Sequence, residues 1–230
     1  MCPPASTSPT SENDPTSGAV GRATAIPDCV PYEDLSQAAY KYAASHLHPI
    51  ILNHSIRVFL YAKAIAEREG SSWINTGRIP FLFTACTCHD LGTTIEHDGT
   101  QRFEVEGADA AVNLCRQHGA SEADAHEVWV AIALHTSPGI AERISELARL
   151  VRLGVTIDFK RTASMALTNA SEVEEIEGRF PRGEIEKVLS DAVVEQGLRQ
   201  PEKAPAASWP GVLVRSKREN PGWEGVNKAF

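Results

Sequence analysis

Residues Ile79–Thr93, IPFLFTACTCHDLGT, decide how this chain reads. From Ile79 to Cys88 every side chain is apolar or small and none is charged, the pattern of a helix enclosed by other helices. Read as one helix from Ile79 to Leu91, the stretch carries His89 and Asp90 inside an apolar environment. An ionised carboxylate there is costly unless a cation neutralises it. With an imidazole beside it, a divalent metal is the natural partner.

Working outward, Asn53-His54-Ser55 offers a second imidazole upstream and Thr156-Ile157-Asp158 a second carboxylate downstream. His54 falls in the first turn of a helix expected over about 52–69 and ended by Gly70, after Pro49 has broken a first helix carrying Leu35, Ala38, Ala39 and Tyr42. Thr93 to Phe103 reads as a loop containing His97, and the next helix is expected from Glu106 to His118. A further helix opens near Ser121 and Asp124 with an inner stripe of Val128, Ala131, Ile132 and His135. Ile144, Leu147, Ala148 and Val151 mark another, whose inner face continues through Val155 to Asp158. Ser164 to Phe180 is polar and ambiguous, Glu184 to Gln196 is a last clear helix, and the Pro-rich tail beyond Pro201 holds Trp209 and Trp223. Few segments alternate as strands do, so the expected class is all-α.

At 230 residues and 42% hydrophobic composition, the chain suits one domain. We expect a disordered N-terminal arm over 1–25 and a single helical domain over 26–230. The net charge of −8 disfavours nucleic-acid and anionic-membrane binding and points to a small-molecule partner. No apolar run approaches a membrane span, and the Pro/Ser/Thr-rich start has no apolar core, so a cytoplasmic protein is expected. Among five cysteines, Cys86 and Cys88 are read as small buried residues rather than a zinc knuckle, because no second pair has usable spacing. The tail is expected to pack on the core or on a second copy of the chain, a homodimer being the commonest closed arrangement.

His54, His89, Asp90 and Asp158 together supply two imidazoles and two carboxylates to a metal. Their order resembles that of the HD superfamily of metal-dependent helical enzymes. Five blocks, Leu52–Val58 (LNHSIRV), Cys88–Thr93 (CHDLGT), Arg102–Ala111 (RFEVEGADAA), Ala131–Thr136 (AIALHT) and Gly154–Phe159 (GVTIDF), are more narrowly similar to the fungal cyanamide hydratases. This resemblance covers roughly residues 30 to 225. It implies an all-α HD-domain bundle, a bound zinc, and addition of water to the nitrile of cyanamide to give urea. It also places Phe103 where many two-metal members of the superfamily carry a further histidine, which implies one metal and a drier, narrower pocket.

Zinc lowers the pKa of bound water to ≈ 7, so hydroxide is available at neutral pH to attack the nitrile carbon. The charge that builds on the nitrile nitrogen then needs a proton. His135 is the first choice for its donor. Thr156 is expected to hydrogen-bond water or substrate, and Phe103 and His97 to line the substrate. A nucleotide phosphohydrolase is the main rival, with Arg57 and Arg102 as phosphate ligands unless they pair with Glu104 or Glu106. Hydration of another small nitrile or an isocyanide, and a scaffold with a structural metal, are the remaining readings.

Overall fold

A computed structural model of the chain describes residues 25–220 and Gly222. The arm assigned to 1–25 falls almost entirely outside them, and Trp223 wholly so. Among the described residues there is no strand. The chain runs through α1 (Asp34–His46), α2 (Pro49–Glu69), α3 (Ile79–Cys88), α4 (Phe103–Gln117), α5 (Glu122–Ala133), α6 (Ala141–Ile144), α7 (Glu146–Asp158), α8 (Thr162–Met165), α9 (Ala170–Arg179), α10 (Ile185–Arg199) and α11 (Trp209–Glu219). The all-α expectation holds.

Several boundaries differ from the pattern, each for a local reason. α2 starts three residues early, because Pro49 sits in its first turn, where a missing N–H costs nothing. His48 caps it, its Nδ1 accepting the Ile50 N–H at 3.2 Å. α3 stops at Cys88 rather than Leu91. His89 folds back so that Nδ1–H donates to Cys86 O at 2.7 Å, and the 3-10 turn Leu91–Thr93 follows. His89 and Asp90 therefore project from a helix end and not from its middle. α4 begins at Phe103, three residues ahead of the expected start, and the ambiguous stretch resolves into α8 and α9.

The core gathers around α3, whose residues from Leu82 to Cys88 are all buried. α1, α2, α4, α5 and α7 pack about it. α2 and α7 lie antiparallel, with Gly154 of α7 against Val58 of α2; a Cβ on Gly154 would come within 2.5 Å of Val58 O. This close approach brings Asp158, one turn after Gly154, up to His54, one turn before Val58. In the tail, α11 opens on Trp209 and Pro210, is capped by the Ser208 hydroxyl accepting Gly211 N–H at 3.1 Å, and packs on α10 of the same chain. No helix among the described residues is long and apolar enough to cross a membrane.

Candidate metal centre

Three elements deliver three histidines with their Nδ1 protons already committed. His54, in the second turn of α2, donates Nδ1–H to Asp158 Oδ2 at 2.6 Å. His89 donates to Cys86 O, and His135 donates to Ile132 O at 2.6 Å. A carboxylate or carbonyl oxygen only accepts, so each Nδ1 carries the proton and each Nε2 is turned away from that anchor. His54 Nε2 and His89 Nε2 lie 3.2 Å apart, and Asp90 Oδ2 stands 3.6 and 3.2 Å from them. These three donors form a buried group able to hold a metal ion.

Two observations test that fit. Zinc bonds of about 2.0–2.1 Å in a tetrahedral shell set neighbouring donors about 3.3 Å apart, and the three separations here bracket this. Neither Asp90 oxygen receives a hydrogen bond although both are buried, as expected of a carboxylate whose partner is a cation. Burial pushes the Asp90 carboxyl up, but His89 foremost, with His54 and His135 behind it, holds it down at about 2. Burial would also depress His89, yet Asp90 beside it lifts the imidazole above its ordinary value. The cluster thus calls for one positive charge, which a proton on His89 or a metal ion supplies.

Asp158, expected as a fourth ligand, is not one of the converging donors. It stands behind His54. Its Oδ2 takes the His54 proton and Arg57 Nη2–H at 2.8 Å, and its Oδ1 takes Arg57 Nε–H at 2.6 Å. Arg182 adds its guanidinium at 3.4 Å. Burial alone would raise the Asp158 carboxyl, but these hydrogen bonds hold it far below the usual carboxylate range. Arg57, considered as a phosphate ligand or a partner of Glu104 or Glu106, is instead consumed by Asp158. Arg102 does lie beside Glu104, its Nε 3.7 Å from Oε2.

His135 stands beyond the end of α5 and not on its inner stripe, because α5 closes at Ala133. Its Nε2 is 3.8 Å from Asp90 Oδ1, and its ring packs edge-on against His89 with centroids 4.8 Å apart. Burial, reinforced by His89, depresses its pKa to about 3. With Nδ1–H committed to Ile132 O, Nε2 is the nitrogen left facing Asp90, and it is through this atom that His135 would exchange a proton. The Phe103 ring lies 5.6 Å from that of His135 and 5.8 Å from that of Trp209.

Two further expected residues are placed elsewhere. Thr156 donates its hydroxyl to the α7 carbonyls of Arg152 and Leu153, both at 3.0 Å, and meets Ser164 Oγ at 2.7 Å. It lines a cleft of about 420 Å³ with Arg152, Lys160 and Arg161, so its hydroxyl is spent on its own helix and a neighbour. His97 accepts or donates at Nε2 with Tyr42 OH at 2.9 Å and packs beside His46, in a cavity lined by Glu106 and Asp109. Cys86 and Cys88 are buried free thiols, and burial raises both pKa values, consistent with a packing role.

The pattern of residues missed one group beside the centre. Glu104 and Thr136 are buried together, Thr136 Oγ–H donating to Glu104 Oε1 at 2.7 Å. An earlier start to α4 is the signal that would have turned Glu104 inward with Gly107 and Ala108.

Residues 51–154 match the model of the HD domain family, a span that contains His54, His89, Asp90 and His135. The chain is also similar to two proteins of Saccharomyces cerevisiae, cyanamide hydratase DDI2 and cyanamide hydratase DDI3. Identity to each is 26% over 174 residues, which covers 74% of this chain and 76% of each relative.

Proposed function

We propose, from the premise that residues 51–154 carry an HD domain, that this protein is a metal-dependent hydratase that adds water to cyanamide to give urea. The observation that carries the reading is the convergence of His54 Nε2, His89 Nε2 and a buried Asp90 carboxylate without hydrogen-bond donors. A substrate such as cyanamide is supported by the similarity to the yeast hydratases and by the commitment of Arg57 to Asp158, which leaves that guanidinium no role with phosphate.

His54, His89 and Asp90 would hold the metal, zinc being the ion these donors suit. Bound there, it would act as a Lewis acid that lowers the pKa of water. Asp158 fixes the His54 ring and its tautomer. His135 Nε2 accepts a proton from water as the oxygen attacks the nitrile carbon, and returns a proton to the nitrile nitrogen. The product, one C–O bond richer, is the imidic acid that tautomerises to urea. Phe103 closes one side and excludes bulk water.

The test is direct. Purified protein incubated with cyanamide should release urea, lose that activity to a chelator and regain it with zinc. Absence of urea from metal-replete protein would reject the reading.

A further inference from the structure

Glu104 is a fully buried carboxyl for which neither the metal cluster nor the apolar core accounts. It lies in the first turn of α4. Oε1 accepts the Thr136 hydroxyl, whereas Oε2 receives no hydrogen bond. The Arg102 Nε beside it, at 3.7 Å, is too distant for one. A buried acceptor without a donor is costly, and native structures keep few of them.

The packing of α4 says what this oxygen adjoins. One turn along the same face, Gly107 lies so close to the metal turn that a Cβ would come within 3.1 Å of His89 O and 3.2 Å of Gly92 N. Burial pushes the Glu104 carboxyl up from its ordinary range against the opposing pull of Arg102 and the Thr136 hydroxyl, and Asp90 adds a small further rise. On the other side, both its neighbours, Arg102 and Thr136, line a cleft of about 280 Å³ with Ser208 and Trp209. Thr136 directly follows His135. Glu104 thus lies behind two residues that line the cleft and one turn from the residue that packs on the metal turn, its Oε2 near the Arg102 guanidinium but without a hydrogen bond.

We propose, resting on the hydratase reading above, that Glu104 Oε2 accepts an N–H of the cyanamide amino group and so selects an amino-nitrile over other small nitriles. Cyanamide is a short rod, with an amino group at one end and the nitrile nitrogen at the other. An acceptor for the amino end fixes the carbon between them relative to Asp90 and His135. Glu104 makes and breaks no covalent bond. Acetonitrile has nearly the same shape but carries a methyl in place of the amino group, and it gains nothing from this oxygen.

Glu104→Gln tests the assignment. The amide keeps its carbonyl toward the Thr136 hydroxyl, so its NH₂ faces the substrate amino group, donor against donor. We expect kcat/KM for cyanamide to fall about 10- to 100-fold, while the Kd for acetonitrile, read by NMR titration, moves less than about threefold. Metal content should stay at the wild-type value. Thr136→Val, which releases the carboxyl from its orienting hydroxyl, should give the same pattern in smaller degree and stands in should the first variant not fold. Unchanged cyanamide efficiency, or parallel loss for both ligands, would overturn the assignment. Wild-type protein that makes no urea would instead reject the hydratase reading and this assignment with it, so the two failures are told apart.

Discussion

Asp158 Oδ2 lies 2.6 Å from His54 Nδ1, and the same carboxylate is gripped by the Arg57 guanidinium through both of its oxygens. The second carboxylate of the His, His-Asp, Asp order thereby stands behind His54, on the Nδ1 side of its ring, and in the proposed site it would orient that ligand. Asp158→Asn should weaken zinc binding about 10- to 100-fold, the usual effect of losing such a partner. Asp90→Ala, which removes a donor outright, should lose zinc altogether. Equal zinc contents in the two variants would show that Asp158 does not stand behind His54 in function.

Arg57→Ala leaves the Asp158 carboxylate buried with one strong partner gone and should destabilise the fold by about 3–5 kcal/mol. The sign of its pH dependence follows from the depressed Asp158 pKa. Stability from the pair is fully present above the unfolded value near 3.9 and is lost as pH falls toward the folded one. Denaturant midpoints of wild type and variant should therefore differ by a constant amount above about pH 5 and converge below about pH 4. A gap that widens on acidification contradicts the assignment.

His135→Ala separates proton transfer from metal binding. Its Nε2 is 3.8 Å from Asp90 Oδ1 and outside the three converging donors. We expect kcat to fall by about 10²–10⁴-fold, the range for a positioned acid–base group, with zinc retained. Zinc loss on substitution would place His135 in the metal shell.

Zinc affinity should rise with pH in a particular way. The His89 pKa is raised and that of His54 lowered, so below the His89 value the metal displaces one proton, not two. Competition with a chromophoric chelator should show Kd falling about tenfold per pH unit up to the His89 pKa and levelling above it. A hundredfold slope would mean that His54 is also protonated in the protein.

Gly154→Ala probes the helix contact that sets the site. Its Cβ would meet Val58 O, and backbone at that distance cannot give way as a flexible side chain can. Separation of α7 from α2 should cost about 1–3 kcal/mol and draw Asp158 off His54, lowering zinc affinity alongside thermal stability. Full stability with full zinc binding would show that the helices have slack at this point.

Much of this was legible in the sequence, and what was not has a physical cause. The unbroken apolar run identified the enclosed α3, charge in that apolar setting pointed to a metal at His89 and Asp90, and the His, His-Asp, Asp order added His54. Helix ends were harder to read. Pro49 looks like a breaker from the α1 side and is a starter from the α2 side. His135 shares the α5 periodicity, but a turn carries it past the helix end. Long-range partners left no periodic trace. Nothing local distinguishes an Asp158 that binds metal from one that holds His54 and Arg57, or a Thr156 facing substrate from one bonded to Arg152 O. His97 in its loop had no readable direction, and it meets Tyr42.

On the proposed reading, one metal ion held by His54, His89 and Asp90 makes this chain a hydratase. The most direct measurement is urea formation from cyanamide as zinc is titrated into chelator-stripped protein, with metal content determined in the same samples. Activity should rise in proportion to bound zinc and stop at one ion per chain, and Asp90→Ala should show neither bound zinc nor urea. Urea formation by stripped protein, or a rise that continues to two ions per chain, would contradict it.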